Sequence, residues 1–273
     1  MKRLANERKY VEDMIKSKTL NVNRPGKDIN SLIKYLYEQN PKITKQELIE
    51  LVNKFLLEIV QDEKAVKRWQ VSIREYVDTF MSYANNFKGL SHVEKVCITR
   101  SELERIKELE NERLEYIAFA LLVYLKVQNE ITGRYDNVHC PSGEEHVKMI
   151  KKITGLRTTV TKTALAMKEL QNLGYTENGI GGAVSCKLNY VDNEDEVVIE
   201  VEDFDVESIS IYYYWYIHGG RLIYCQECGK LVHVFKEQDR STKFCKKCAK
   251  ESMYSSQSEY YKRKNIIPKK QNT

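Results

Sequence analysis

Apolar residues recur at the spacing of α-helices throughout the first ninety residues of the chain. Thr44 and Glu47 stand three positions apart in the pattern of a capping box, which predicts that a helix begins just after Thr44. The pair Pro25-Gly26 marks a turn before the second helix, and Pro41 ends that helix. We therefore predict an all-helical N-terminal domain over residues 1–92.

The middle of the chain contains a predicted helix that is apolar on every side. Ser101 and Glu104 have the spacing of a second capping box, and the ten apolar residues 116–125 predict a buried helix behind it. This run is about half the length that a membrane-spanning helix needs. The N-terminus lacks the apolar stretch of a signal peptide, so we expect a cytoplasmic protein with no membrane partner.

Two shorter helices and two strands follow this buried helix. Amphipathic spacing predicts helices over residues 146–154 and 158–173, each ended by a glycine. Alternating apolar and polar residues around 184–191 and over 197–201 predict two strands paired as a hairpin. Helix, turn, helix and hairpin is the order of a winged helix, which we predict for residues 93–215. The helix pair would equally suit the core of a bundle.

Four cysteines near the C-terminal end have the spacing of a zinc ribbon. Two CxxC pairs are separated by sixteen residues, and together they supply the four thiolates of a closed tetrahedral site. The predicted ligands of one structural Zn²⁺ ion are Cys225, Cys228, Cys245 and Cys248. His233 is an alternative ligand in place of one cysteine. Because four thiolates leave no open position, and because the chain lacks the common phosphate-binding and hydrolase motifs, we do not expect an enzyme.

The distribution of charge along the chain adds a candidate partner. The net charge is +5 and 30% of the residues are charged, as in ordinary soluble domains. Residues 219–273 carry 13 Lys and Arg against 5 Asp and Glu, whereas residues 192–207 contain nine acidic residues and no basic one. A polyanion is therefore expected to bind at the C-terminal end, and the acidic segment is expected to be solvated wing and strand surface.

Basic and hydroxyl side chains gather at the start of the helix predicted over 158–173, where a recognition helix meets base edges and phosphates. Lysines of the ribbon and of the tail, beside Tyr260 and Tyr261, form a second basic region suited to phosphate contacts and base stacking, or a solvated tail. The predicted nucleic-acid-binding residues are Arg157, Thr158, Thr159, Thr161, Lys162, Lys168, Lys243, Lys246, Lys247, Lys262, Arg263 and Lys264.

The order of these modules resembles a group of known proteins. The resemblance is carried by ITRSEL at 98–103, RLEYIAFALLVYLK at 113–126, the helix pair ending in Leu173-Gly-Tyr175, and the CxxCGK ribbon. Together they resemble phage and mobile-element proteins of Gram-positive bacteria that join a winged helix, of the kind found in replication initiators and DnaD-like primosome proteins, to a C-terminal zinc ribbon. The resemblance covers about residues 95–250 and implies DNA binding or a host-directed phage role.

The sequence thus predicts a mostly α protein with a small β component in three parts. A helical N-terminal domain (1–92) precedes a winged helix-turn-helix (93–215) and a four-cysteine zinc ribbon with a basic tail (216–273). The aromatic segment 208–216 is either a packed strand or a helix that connects to the ribbon. We expect nucleic-acid binding, first of double-stranded DNA, in replication or transcription control of a phage or mobile element. The alternative is a protein-binding effector that inhibits or redirects a host polymerase or defence nuclease.

Overall fold

The structure, a computed structural model, describes residues 5–20, 25–133, 144–178, 186–204, 206–235 and 242–254. The chain divides into two compact units, each assembled from three separate segments. The first consists of Met1–Val96, Leu122–Ser142 and Thr176–Asn189, and the second consists of Cys97–Leu121, Gly143–Tyr175 and Tyr190–Thr273. The three consecutive domains expected from the sequence stay a prediction.

The first unit is built on helices that follow one another along the chain. They are α1 Glu7–Ser17, α2 Gly26–Gln39, α3 Lys45–Val60 and α4 Glu63–Tyr83, followed by a 3₁₀ turn at Ala84–Asn86. Helix α2 packs against α1, α3 and α4, and α3 packs along α4. Each helix buries its apolar stripe in one shared core, whose members include Leu32, Leu48 and Phe80. The helices predicted from the apolar spacing are confirmed.

The start of α3 is capped as the sequence predicted. The Thr44 backbone N–H donates to Glu47 Oε2 at 2.8 Å, and the Glu47 backbone N–H donates to Thr44 Oγ1 at 3.3 Å. These reciprocal bonds satisfy two N–H groups that the helix itself leaves without acceptors. Hydrogen bonds from the Thr44 side chain, and to a lesser extent from its backbone N–H, also hold the pKa of Glu47 below its ordinary value.

The rest of the chain combines helices with short strands. The helices are α5 Arg100–Lys107, α6 Glu112–Thr132, α7 Glu144–Thr154, α8 Val160–Asn172 and α9 Val206–His218, and residues 246–254 are also helical. The strands are β1 Val96–Thr99, β2 Thr176–Asn178, β3 Cys186–Leu188, β4 Val197–Val201, β5 Arg221–Tyr224 and β6 Leu231–Val234. The fold is therefore mostly α with a small β component. Among the described helices, none has the length and apolar character needed to cross a membrane.

The described strands pair in three two-stranded sheets, which are β1 with β4, β2 with β3, and β5 with β6. Strands β2 and β3 are antiparallel, with Thr176 opposite Leu188. The hairpin predicted from 184–191 and 197–201 is wrong, because β3 pairs with the strand before it and β4 pairs with β1. Alternation of apolar and polar residues identifies a strand but not the strand that pairs with it. Beside the β1–β4 pair, the Arg100 backbone N–H donates to the Glu196 carbonyl at 2.9 Å.

Helix α9 lies at the centre of the second unit. It packs against α7 and against β4, β5 and β6. Tyr213 is fully buried, with its ring centroid 5.0 Å from that of Phe119 and 5.3 Å from that of Tyr116. Its hydroxyl donates to Glu115 Oε2 at 2.8 Å. Burial, and to a lesser extent this hydrogen bond, raise the pKa of Tyr213 far above its ordinary value. The aromatic segment 208–216 is thus a helix and not a strand.

The acidic loop before β4 is bound to the start of α5. Asp195 Oδ2 accepts from the Ser101 backbone N–H at 2.7 Å, and Asp192 Oδ2 accepts from the Ser101 hydroxyl at 2.9 Å. Glu196 forms an ion pair with Arg100 at 2.7 Å. Carboxylates at this position complement the positive end of the helix dipole. The loop is exposed, as expected, but it caps α5 instead of joining the two strands of a wing.

The N-cap of α5 is Thr99 and not Ser101. Glu102 is fully buried, and its carboxylate accepts from the backbone N–H groups of Thr99 at 2.9 Å and of Asp192 at 3.0 Å. The predicted capping box Ser101–Glu104 is wrong because Asp192 holds the Ser101 side chain. The pair Thr99–Glu102 has the same spacing, and tertiary contacts select it.

Asp195 should make the protection of α5 depend on pH. Hydrogen bonds from the Glu196 and Ser101 backbone N–H groups lower its pKa below the ordinary value, so the folded chain favours the ionised form. The stabilisation is therefore complete above about pH 4, near the unfolded pKa, and is lost as the pH falls through the lowered folded pKa. We expect Asp195→Asn to speed amide hydrogen exchange in α5 at neutral pH, by a difference that shrinks as the pH falls.

A matched control is Asp13→Asn, which makes the same change at an exposed position of α1. Its exchange in α5 should equal that of the parent chain at every pH. Equal exchange of the Asp195 variant and this control at neutral pH would contradict the assigned cap.

Candidate metal centre and nucleic-acid interface

Two short segments hold the four predicted metal ligands. Cys225 directly follows β5, and Cys228 lies in the turn that leads into β6. Cys245 directly precedes the helical residues 246–254, and Cys248 lies in their first turn. Because β5 and β6 are antiparallel, the turn between them brings Cys225 and Cys228 to one end of the hairpin.

A glycine reverses the chain within this turn. Gly229 has a φ of +68°, a left-handed conformation that favours glycine. Its backbone N–H donates to the Cys225 carbonyl at 2.8 Å, and the Cys225 backbone N–H donates to the Lys230 carbonyl at 2.9 Å. The two bonds fix the backbone around the first cysteine pair.

The four sulfur atoms form one cluster, which confirms that the cysteines converge. All four Sγ atoms lie within 4.8 Å of one another, and those of Cys228 and Cys245 are 3.8 Å apart. Zinc binds four thiolates tetrahedrally at about 2.3 Å, which separates neighbouring sulfur atoms by about 3.8 Å. Cys225 and Cys248 are buried. The donor set and its spacing therefore fit a tetrahedral metal ion.

Backbone N–H groups point at the sulfur atoms of this cluster. Cys245 N–H donates to Cys225 Sγ at 3.2 Å, and Cys248 N–H donates to Cys245 Sγ at 3.4 Å. The N–H groups of Cys228 and Cys245 lower the pKa of Cys225 to about 6, and the N–H of Cys248 lowers the pKa of Cys245. Hydrogen bonds to Cys245 and Cys228 instead raise the pKa of Cys248. The thiolate is the form that binds metal, so the hydrogen bonds to Cys225 and Cys245 favour the metal-binding form of these two ligands.

His233 makes different contacts. Its Nε2 atom hydrogen-bonds with the Gly219 carbonyl oxygen, and its ring centroid lies 5.2 Å from that of Tyr214 and 4.7 Å from that of Phe235. The histidine therefore takes part in packing β6 against α9, and the cluster of described metal-ligating atoms consists of cysteines.

The second candidate site lies where α7 meets α8. The two helices pack together and are joined by residues 155–159. Gly155 has a φ of +65°, and a Cβ atom there would lie 3.0 Å from Ser210 Oγ on α9. Thr159 is the N-cap of α8, since its Oγ1 accepts from the Lys162 backbone N–H at 3.2 Å. The short link between α7 and α8 and the Thr159 cap thus define where α8 begins.

Five of the six residues predicted at this helix are exposed, namely Arg157, Thr159, Thr161, Lys162 and Lys168. The buried side of α8 consists of Thr163, Ala166 and Leu170. The sixth predicted residue is partly buried and belongs to a cleft beside the start of the helix.

This cleft has a volume of about 370 Å³ and is lined by Lys151, Leu156, Arg157, Thr158, Thr159 and Lys162. Three of these side chains are cations, two are threonines, and none is acidic. Lys151 was not among the predicted site residues. It belongs to α7, and the packing of α7 against α8 brings it into the same cleft as Arg157 and Lys162. The sequence pattern alone did not indicate that these three residues share a site.

Lysines of the four-cysteine region make up the remaining described part of the prediction. Lys243, Lys246 and Lys247 are exposed, and Lys247 forms an ion pair with Glu251 at 3.8 Å. The predicted tail residues lie outside the described residues, and these are Tyr260, Tyr261, Lys262, Arg263 and Lys264.

Comparisons of the chain with protein-family models, with curated proteins and with solved structures find no match. The similarity to winged-helix and zinc-ribbon proteins of phages and mobile elements therefore stays a hypothesis. The fold and the site define a mostly helical protein with a four-cysteine cluster and a cationic cleft.

The cluster predicts that the chain binds about one metal ion in a tetrahedral thiolate site. Titration with Co²⁺, followed by its absorption spectrum, should show thiolate coordination that saturates at that ratio. Cys248→Ser removes one of the four sulfur ligands and should weaken binding by at least about tenfold.

Cys97→Ser is the matched control, because Cys97 lies on β1 and outside the four-sulfur cluster. It should titrate like the parent chain. Absence of uptake by the parent chain, or equal loss in both variants, would show that the cluster is not a metal site.

Proposed function

We propose that the chain is a non-enzymatic nucleic-acid-binding protein whose first partner is double-stranded DNA. Helices α7 and α8 act as the helix-turn-helix of a winged helix, and α8 is the recognition helix. The observation that carries the proposal is the exposed start of α8, where Arg157, Thr161 and Lys162 stand beside a cationic cleft.

The exposed face of α8 has the chemistry of a groove-reading helix. Thr161, Leu165 and Lys168 are spaced four and three residues apart, so they lie on one side of the helix. Leu165 is 62% exposed. Hydroxyl and ammonium groups suit phosphates and base edges, and an apolar side chain between them suits the methyl group of thymine.

The metal of the cysteine cluster is proposed to be Zn²⁺ in a structural role. Four thiolates close its coordination shell and leave no position for a substrate or a reactive water. Tyr224, Phe235 and Phe244 around the cluster are 51%, 41% and 37% exposed. Leu231 and Val234 of β6 are buried and β6 packs against α9, so the metal is proposed to add its stabilisation where the ligands lie and the aromatic side chains are exposed.

The lysines around the metal add phosphate contacts to those of α8. Lys243, Lys246 and Lys247 are exposed within five residues of one another and flank Cys245. Contacts of this kind hold DNA without reading its sequence, so the ribbon would increase affinity while α8 sets the register. The proposed setting is cytoplasmic control of replication or transcription in a phage or mobile element, which follows from the order of modules in the sequence.

A salt titration of duplex binding tests this proposal. Each cation that contacts a phosphate releases counterions, so the logarithm of affinity should fall with the logarithm of salt by about 0.9 per contact. Arg157→Glu combined with Lys162→Glu should weaken binding at least about tenfold at about 50 mM salt and reduce the slope by about 2. Fluorescence anisotropy of a labelled duplex measures both quantities.

The matched control combines Lys54→Glu with Lys64→Glu, at exposed positions of α3 and α4, and changes the net charge equally. It should bind like the parent chain. If the two double variants bind equally, α7 and α8 are merely structural. If the parent chain binds no duplex at about 50 mM salt, the proposal fails in favour of the protein-binding effector.

A further inference from the structure

Exposed aromatic rings are concentrated around the cysteine cluster. Among the described residues, four of the five exposed aromatic side chains lie within residues 224–254. Two of them, Tyr224 and Phe244, directly precede the predicted ligands Cys225 and Cys245. The fifth, Tyr83, lies at the end of α4. Large rings are normally buried in a core or an interface, so their concentration in one small region indicates a binding surface.

The backbone holds the segments that carry these two rings against each other. The Gln226 backbone N–H donates to the Lys243 carbonyl at 3.0 Å, and the Cys245 backbone N–H donates to Cys225 Sγ at 3.2 Å. Both contacts lie within two residues of an exposed ring. The two rings therefore belong to one surface beside the cysteine cluster.

The Tyr224 ring is also fixed in orientation. Its hydroxyl shares a hydrogen bond with the hydroxyl of Tyr212, a buried residue of α9. The Tyr212 hydroxyl in turn accepts from the backbone N–H groups of Glu202 at 3.3 Å and of Asp203 at 3.2 Å. An exposed ring that the fold already holds in place loses little freedom when a ligand stacks on it.

Lysines border the same rings. Lys243 directly precedes Phe244 and Lys246 follows it by two residues, and both lysines are exposed. Neither forms an ion pair with a described carboxylate. On the helical residues that follow, Lys250 Nζ lies 5.6 Å from the centroid of the exposed Tyr254 ring. Exposed rings interleaved with uncompensated cations fit a ligand that has both planar bases and phosphates.

We propose that this surface binds single-stranded nucleic acid, with unpaired bases stacked on Tyr224 and Phe244 and phosphates beside Lys243 and Lys246. In a duplex the faces of the bases are covered by neighbouring base pairs, whereas a single strand can present them to a protein. The surface is thus distinct from α8, which is proposed to read a duplex groove. A chain with both would bind best where a duplex adjoins a single strand, and only this preference rests on the proposed function.

Fluorescence anisotropy of the zinc-loaded chain with a labelled oligothymidylate of about ten nucleotides tests the proposal. Tyr224→Leu and Phe244→Leu each remove a ring but keep an apolar side chain. Each should weaken binding at least about fivefold, as expected for the loss of one stacked base, and should leave duplex affinity unchanged. A neutral ring releases no counterions, so the dependence of affinity on salt should stay the same. Lys243→Gln should instead reduce that slope by about 0.7.

The matched control is Tyr83→Leu, which removes the exposed ring that lies outside this surface. It should bind the oligonucleotide like the parent chain. Tyr224→Phe keeps the ring and should lose less affinity than Tyr224→Leu. The zinc content of each variant shows whether the cysteine region is intact, and if Tyr224→Leu loses the metal, Phe244→Leu decides the test.

Absence of oligonucleotide binding by the parent chain would overturn the single-strand site. Equal affinity of Phe244→Leu and Tyr83→Leu would also overturn it and would assign the exposed rings to a protein contact. So would an equal loss of affinity for oligonucleotide and duplex, because the rings would then not act by stacking unpaired bases.

These outcomes are separate from those of the duplex proposal, which Arg157→Glu with Lys162→Glu tests. Loss of oligonucleotide binding in the ring variants, together with no duplex binding by the parent chain, would support the single-strand site and overturn the duplex proposal.

Discussion

The hydroxyl of the buried Tyr213 donates to Glu115 inside the second unit, and this contact holds α9 against α6. A tyrosine hydroxyl buried without an acceptor would cost about 1–3 kcal/mol, so Glu115 makes the position of α9 specific as well as favourable. Helix α9 in turn packs against α7, which supplies Lys151 to the cleft, and against β5 and β6, which lead into and out of the first cysteine pair. Both candidate sites are therefore built on one aromatic helix.

The features that the sequence predicted correctly depend on residues close together along the chain. The capping box at Thr44 needs only a threonine and a glutamate three positions apart, and the helices of the first unit need only a regular apolar stripe. The cysteine cluster is almost as local, because each pair of ligands lies within four residues, and the Gln226 backbone N–H donates to the Lys243 carbonyl at 3.0 Å where the two pairs meet. Such local patterns can be recognised in the sequence without knowledge of the tertiary contacts.

The features that could not be predicted depend on distant partners. Thr99–Glu102 and Ser101–Glu104 have identical capping-box spacing, and the choice is made by Asp192, which lies about ninety residues away. Strand β4 alternates as a hairpin strand should, yet its partner is β1. Lys151 joins the cleft only because two helices pack together. In each case the local pattern allows several outcomes, and tertiary contacts select one.

The interrupted order of the two units has a consequence for synthesis of the chain. The second unit needs segments 97–121 and 143–175, but it also needs residues from 190 onward, where α9 and the cysteines lie. The first unit needs residues 176–189 in addition to its helices. A nascent chain released only as far as residue 175 would hold neither unit complete. The second core closes only after residues from 190 onward have left the ribosome, so this unit folds through contacts of long sequence separation.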